Sequence, residues 1–241
     1  MARKLNITNL KPLQQIGESK TKRYIKCRIL IVCEGEKTEP MYFKSFNMVA
    51  QPSDSLVFNI TTAGGKINTM QVVNKAIEMK SKAEQQGQPY DAVWVVFDKD
   101  DFQNCDFDNA IKEADRKNIG CAWSNEAFEL WYVYHFDARN TAMKREEYQK
   151  IITQRIRKCG YKSGKEVYQY KKNDPNMRNI LRACNCNELD AVKRAEQQAK
   201  SFTDMCFHNH NPCTMVYKLV KILLGKDKEF NDKIKKELEE K

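Results

Sequence analysis

One six-residue run limits this chain more than any other feature. Residues 92–97 read AVWVVF, apolar at every position, and stop abruptly at Asp98-Lys99-Asp100-Asp101. A strand with no polar alternation has both faces covered, which is the condition of a central strand in a parallel sheet. A similar run, RILIVC at residues 28–33, ends at Glu34-Gly35-Glu36. Between and after these runs, strand-like and helix-like stretches alternate. Residues 38–49 predict a helix with Thr38 as its cap, and residues 56–61 (LVFNIT) a strand. Gly64-Gly65 reads as a turn, and a helix is expected from Asn68 or Thr69 to Gln86. A helix at 107–117, a strand at 119–123 and an apolar helix at 125–136 (NEAFELWYVYHF) complete the series. The expected fold is α/β: a Rossmannoid, mostly parallel sheet with right-handed crossovers, flanked by helices.

After residue 137 the character changes. Residues 143–159, 174–184, 188–201, 212–224 and 227–240 predict helices, with only a weak strand signal near 166–170. The division expected is a basic arm at 1–27, an α/β domain at 28–137, and a basic helical region at 138–241 that packs on or extends the core. No apolar run is long enough for a membrane span, and the first residues lack the apolar stretch of a secretory signal. Nine cysteines at irregular spacing then read as reduced thiols, and the expected location is cytoplasmic.

In an open parallel sheet, active groups gather beyond the carboxyl ends of the strands. Glu34, Asp98 and Asp100 all stand there, and Glu126 and Glu129 follow the fourth strand. Side chains alternate along an extended segment, so Asp98 and Asp100 point to one side. Clustered carboxylates oppose one another's ionisation unless a cation neutralises them, and Mg²⁺ or Mn²⁺, one ion or two, suits oxygen ligands. The other reading is that each acid caps a helix. A Rossmann or P-loop nucleotide site is disfavoured, because neither G-x-G-x-x-G after the first strand nor G-x-x-x-x-G-K-[ST] occurs.

Charge is distributed in blocks. Residues 1–28 hold 8 basic against 1 acidic side chain, 29–138 hold 10 against 17, 139–182 hold 13 against 4, and 183–241 hold 11 against 10. The third block interleaves its cations with Tyr148, Tyr161, Tyr168 and Tyr170. Cations hold phosphates and aromatic faces stack bases, so the block suits single-stranded DNA or RNA, with Arg155, Arg157, Lys158, Lys171 and Lys172 as candidate contacts. A solvated surface that docks a protein is the alternative. Cys184, Cys186, Cys206, His208, His210 and Cys213 match no standard zinc-finger spacing. They read as a loop with buried thiols, His208 and His210 being candidates to contact phosphate. His135 reads as a core or helix-end histidine, and Phe128, Trp131, Tyr132 and Tyr134 as core.

An apolar strand ending in Glu-Gly, followed by one ending in Asp-x-Asp, resembles the Toprim domain of topoisomerases, primases and overcoming-lysogenisation-defect nucleases. In detail the sequence is similar to the RloB family of bacterial defence-associated proteins. The matching blocks are ILIVCEGEKTEPMYF (29–43), VWVVFDKDD (93–101), SNEAFELWYVYHF (124–136) and NPCTMVYKLVKILL (211–224). The resemblance implies a metal-binding set of Glu34, Asp98 and Asp100. It adds Glu39 for a second ion, five residues after Glu34 where that nuclease class has one fewer. Ser124 and Glu126 resemble a Ser-x-Glu element, with Glu126 as ligand or base. The implied activity is metal-dependent cleavage of DNA or RNA in phage defence, beside an ATPase of RloA type. The alternatives are a regulatory partner of that ATPase and a primase-like nucleotidyl transferase.

Overall fold

The structure, a computed structural model, describes residues 25–46, 56–63, 68–100, 103–164 and 166–239. The basic arm up to residue 24, the expected end of the first helix and the Gly64-Gly65 turn lie outside them. In chain order the elements are β1 (Ile25–Cys33), α1 (Thr38–Lys44), β2 (Leu56–Ala63), α2 (Thr69–Gln85), β3 (Ala92–Val96), α3 (Asn104–Arg116), β4 (Gly120–Cys121) and β5 (Ser124–Asn125). They continue with α4 (Glu129–Tyr134), α5 (Arg145–Lys158), β6 (Lys162–Ser163), β7 (Glu166–Val167), α6 (Met177–Ala183), α7 (Glu188–Ala199), β8 (Cys213–Thr214), α8 (Val216–Leu223) and α9 (Lys228–Glu239).

The alternation read from the sequence is present as a four-stranded parallel sheet in the order β2-β1-β3-β4. Its two faces bury separate cores, and period-two alternation assigns each residue to one of them. Leu30, Val32, Val93, Val95 and Phe97 pack under α2 and α3 with Val72, Val73, Phe107 and Ile111. Ile29, Ile31, Cys33 and Val96 face the other way, into a larger core that runs from Cys27 to Ile234. That face is covered by α1 and by helices from the C-terminal region. The helical region is therefore one wall of the sheet's core, built on Tyr148, Ile152, Leu181, Leu219 and Ile234. At its centre, Tyr42, Phe43, Phe128 and Tyr132 meet edge to face, and Trp131 Nε1 donates to Tyr42 Oη at 2.7 Å.

Several expected boundaries are corrected. Strand β1 starts at Ile25, inside the expected arm. Helix α1 has Lys37 at its cap, and Thr38 is already helical, its hydroxyl donating to the Lys172 carbonyl. The fourth strand is only two residues long. The helix expected from 125 begins at Glu129, because β5 pairs antiparallel with β8 and holds residues 124–125 extended. The strand signal near 166 is a short hairpin, β6 with β7.

Gly120 has a steric reason to lack a side chain. A Cβ there would stand 2.4 Å from the Trp94 indole of the adjacent strand. Gly120→Ala is expected to lower stability by about 1–3 kcal/mol through this overpacking, read as a fall in the thermal midpoint. An unchanged melt would show that the indole swings clear without loss.

Candidate functional site

Strands β1 and β3 are hydrogen-bonded neighbours, so the residues that follow them emerge side by side. The Glu34 N–H donates to the Val96 carbonyl at 2.9 Å, and the Asp98 N–H donates back to Glu34 Oε2 at 3.1 Å. Sheet pairing thus fixes both acids through their backbones. Asp98 makes a parallel bridge with Ser124, and the Lys99 N–H donates to the Ser124 carbonyl at 2.8 Å. Ser124 is buried, its hydroxyl 2.9 Å from that of Thr214 on β8. Asp100 then turns with φ +39°, in the left-handed region that few side chains other than Asp, Asn and His enter. Its N–H donates to the Glu126 carbonyl at 3.3 Å.

Two further acids approach from the helices. Glu39 lies in the first turn of α1 and Glu129 opens α4, and both are buried. Tyr170 Oη donates to Glu129 Oε1 at 3.2 Å. Burial pushes the Asp98 carboxyl well above the ordinary carboxylate range. The nearby charges of Glu39, Glu129 and Glu34 push it further, against the Phe128 N–H. Burial likewise raises Glu39, with Glu129 adding to it and Lys172 and Arg145 opposing. Glu34 is pushed up to about 7, first by burial and then by Glu39 and Asp100, against the Asp98 N–H and Arg145. Asp98 is 7% exposed, and its Oδ1 is buried without a hydrogen-bond partner.

The sequence-predicted acids are therefore partly gathered. Glu34, Glu39 and Asp98 share one electrostatic neighbourhood, and Asp100 joins it through Arg145, whose Nη2 lies 3.1 Å from Asp100 Oδ2 and 3.8 Å from Asp98 Oδ2. Glu126 follows β5 on a turn and is not helical as expected. Its charge bears on Tyr148, whose hydroxyl is raised by burial first and by Glu126 second. Among the described residues, no three His, Cys, Asp or Glu side chains are grouped closely enough to hold a metal ion as they stand. The donors nevertheless fit a hard divalent cation in kind: all are oxygens, Glu39 and Asp98 are buried, and one buried oxygen has no partner. Arg145 was not singled out by sequence reasoning. The only signal for it was a cation at the start of a helix, where the helix dipole disfavours one.

The basic candidates divide. Arg155 pairs with Asp137 at 2.7 Å, while Arg157 Nε donates to the Tyr168 carbonyl at 2.6 Å and Nη2 to Gln169 Oε1 at 3.0 Å. Both make contacts within the fold. Lys158, Lys171 and Lys172 are exposed, and Lys172 lies close enough to the acids to act on Glu39. The tyrosines expected to stack bases are corrected: Tyr148, Tyr168 and Tyr170 are buried because α5 and the segment behind it close the larger core. His208 Nδ1 lies 2.7 Å from Asp108 Oδ2, and His210 Nε2 lies 3.0 Å from Asp204 Oδ1. His135 ends α4 with Nδ1 3.0 Å from the Trp131 carbonyl, and burial lowers its pKa to about 4.

The acids set a pH dependence. Glu34 is raised in the folded state, so the folded protein holds a proton that the unfolded chain releases. The stability it contributes is full below its ordinary value of 4.5 and is lost as pH rises through about 7. The metal-free protein is expected to melt higher at pH 5 than at pH 8, and Glu34→Gln to flatten that difference. A parent whose melting point rises across this interval would contradict the assignment.

The family profile described as RloB-like protein matches residues 29–223. No curated protein and no solved structure matches the chain. No helix of the described residues is long and apolar enough to cross a membrane.

Proposed function

The chain belongs to the RloB-like family, and from that premise we propose that it is a divalent-metal-dependent nuclease, hydrolysing phosphodiester bonds of DNA or RNA in a bacterial defence system. The observation that carries the reading is the buried Asp98 carboxyl, with one unpartnered oxygen, beside Glu34 at the ends of adjacent parallel strands and approached by Glu39 and Glu129 from the helices. So many acids in one neighbourhood, with Arg145 and Lys172 the opposing cations that act on Glu39, favour a cation from outside.

Glu34, Asp98 and Asp100 would hold Mg²⁺ or Mn²⁺, with Glu39 available to a second ion. Bound there, such ions supply Lewis-acid polarisation of a phosphate oxygen and a water of lowered pKa. The rest belongs to the protein. The β1–β3 pairing fixes Glu34 and Asp98 relative to each other, so little reorganisation is needed to present their oxygens. Glu126, at the turn after β5, is the candidate to take up a proton from water. Lys171 and Lys172 place positive charge at the rim, where it draws the polyanion toward a centre that would otherwise repel it. An RloA-type ATPase is the partner implied by the family.

The test is incubation of the full chain with single- and double-stranded DNA and RNA plus Mg²⁺ or Mn²⁺, with and without a chelator. Chelator-sensitive cleavage is expected. Binding without cleavage would favour a regulatory partner of the ATPase, and incorporation of added nucleotides a primase-like transferase.

A further inference from the structure

The acidic centre already contains a cation. Arg145 is the first residue of α5, and one of its nitrogens touches both Asp98 and Asp100. Three local effects oppose a guanidinium in this place. The N-terminal end of a helix carries partial positive charge, which suits Glu146 and Glu147 of the same turn but not an arginine. The side chain is only 22% exposed, so much of its hydration is lost. Its Nε is buried without a partner. Attraction to the two aspartates offsets all three.

The contact is also incomplete from the acid side, since Asp98 Oδ1 is left unpartnered. Arg178 and Glu188 show what a built ion pair looks like in this protein. There two guanidinium nitrogens meet the two carboxylate oxygens, a third donates to the Ser45 carbonyl, and the plane lies over the Phe46 ring. The Arg145 contact has none of that closure. Residues 135–144, which lead into α5, hold neither helix nor strand.

We propose that Arg145 is an internal counter-ion that competes with a divalent cation for Asp98 and Asp100, so that metal loading requires the guanidinium to withdraw. This rests on the metal reading above. It explains why the acids are collected without forming a closed ligand shell. A guanidinium is broad and holds carboxylates farther apart than a small ion with ligands at about 2.1 Å would. It also makes the resting centre tolerable, because buried Asp98 and its neighbour Asp100 are never left without positive charge.

The experiment is a Mn²⁺ titration of the full chain, free ion being read by electron paramagnetic resonance and bound ion by calorimetry. Arg145→Met keeps the aliphatic stem and removes the charge. It is expected to bind Mn²⁺ about tenfold or more tighter than the parent, because a positive charge a few ångström from the ion is gone. Arg145→Lys keeps the charge and is expected to stay close to the parent. Asp98→Asn introduced into Arg145→Met is expected to remove the gain. If Arg145→Met melts below the assay temperature, Arg145→Gln, which retains hydrogen-bond donors, carries the same expectation. Equal or weaker Mn²⁺ binding by the neutral variants overturns the competition and leaves Arg145 as a residue that positions the acids. Failure of the parent and every variant to bind Mn²⁺ overturns the metal reading together with it.

Discussion

Asp98→Asn is expected to reduce metal-dependent cleavage by at least about a thousandfold, since the ion it helps to hold supplies several kcal/mol of transition-state stabilisation. The same substitution is expected to leave the chelator-treated protein as stable as the parent or more so. The two expectations share one cause. Burial and three neighbouring acids already push Asp98 towards its neutral form. Asn keeps the shape and removes the charge those neighbours resist, and Arg145 retains Asp100. The checks are a cleavage assay on a labelled oligonucleotide and a thermal melt in chelator. Mg²⁺ is expected to raise the melting temperature of the parent and much less that of the variant, because it binds the folded state. An Asp98→Asn protein melting far below the parent in chelator would make the acid a structural element and remove the main support for a nuclease.

The largest loss of stability is expected at the Arg178–Glu188 pair. Arg178→Ala should cost about 3–5 kcal/mol, the range for breaking a buried ion pair by removing one partner. Arg178 is 2% exposed, and its removal strands Glu188 and opens the Ser45 carbonyl to no donor. Burial presses the Glu188 carboxyl upward, but the Arg178 hydrogen bond and charge bring it below the ordinary value. Stability from this pair is therefore present above pH 4.5 and is lost as pH falls through the lower folded value. A denaturant melt at pH 7 measures the cost. A loss under about 1 kcal/mol would show that water enters and rehydrates Glu188.

Much of the sheet was legible because its strands announce themselves. AVWVVF at 92–97 is apolar without interruption, and nothing but a doubly covered strand suits it. The acids after β1 and β3 followed directly, since strand ends locate them. The region after residue 123 was harder for a physical reason. NEAFELWYVYHF has helical spacing throughout, yet its first residues are held extended by Cys213–Thr214, nearly ninety residues away in sequence. No local pattern encodes that pairing. Tyr148, Tyr168 and Tyr170 misled in a similar way. Interleaved with lysine and arginine they look like base platforms, but an amphipathic stretch has the same composition, and packing on α4 decided which face is inside. The block charge of 139–182 is visible in the sequence as a sum, but which of its cations take partners within the fold is not. Arg145, Arg155 and Arg157 are tied to partners that only the folded chain brings near, while Lys158, Lys171 and Lys172 stay exposed.

The clasp of β5 with β8 gives the protein a timetable. A chain emerging from the ribosome can pair β1, β2, β3 and β4 as soon as residue 121 is free, since each contact partner has by then been made. Ser124 and Asn125, which support the loop bearing Asp98 and Asp100, gain their second partner strand only when residues 213–214 are made. Closing so long a loop is entropically slow relative to the local elements it joins. Arg145 too is made after the aspartates it neutralises. The acidic centre is thus the last part of the sheet edge to be completed during synthesis, and a prematurely ended chain carries the aspartates without their clasp.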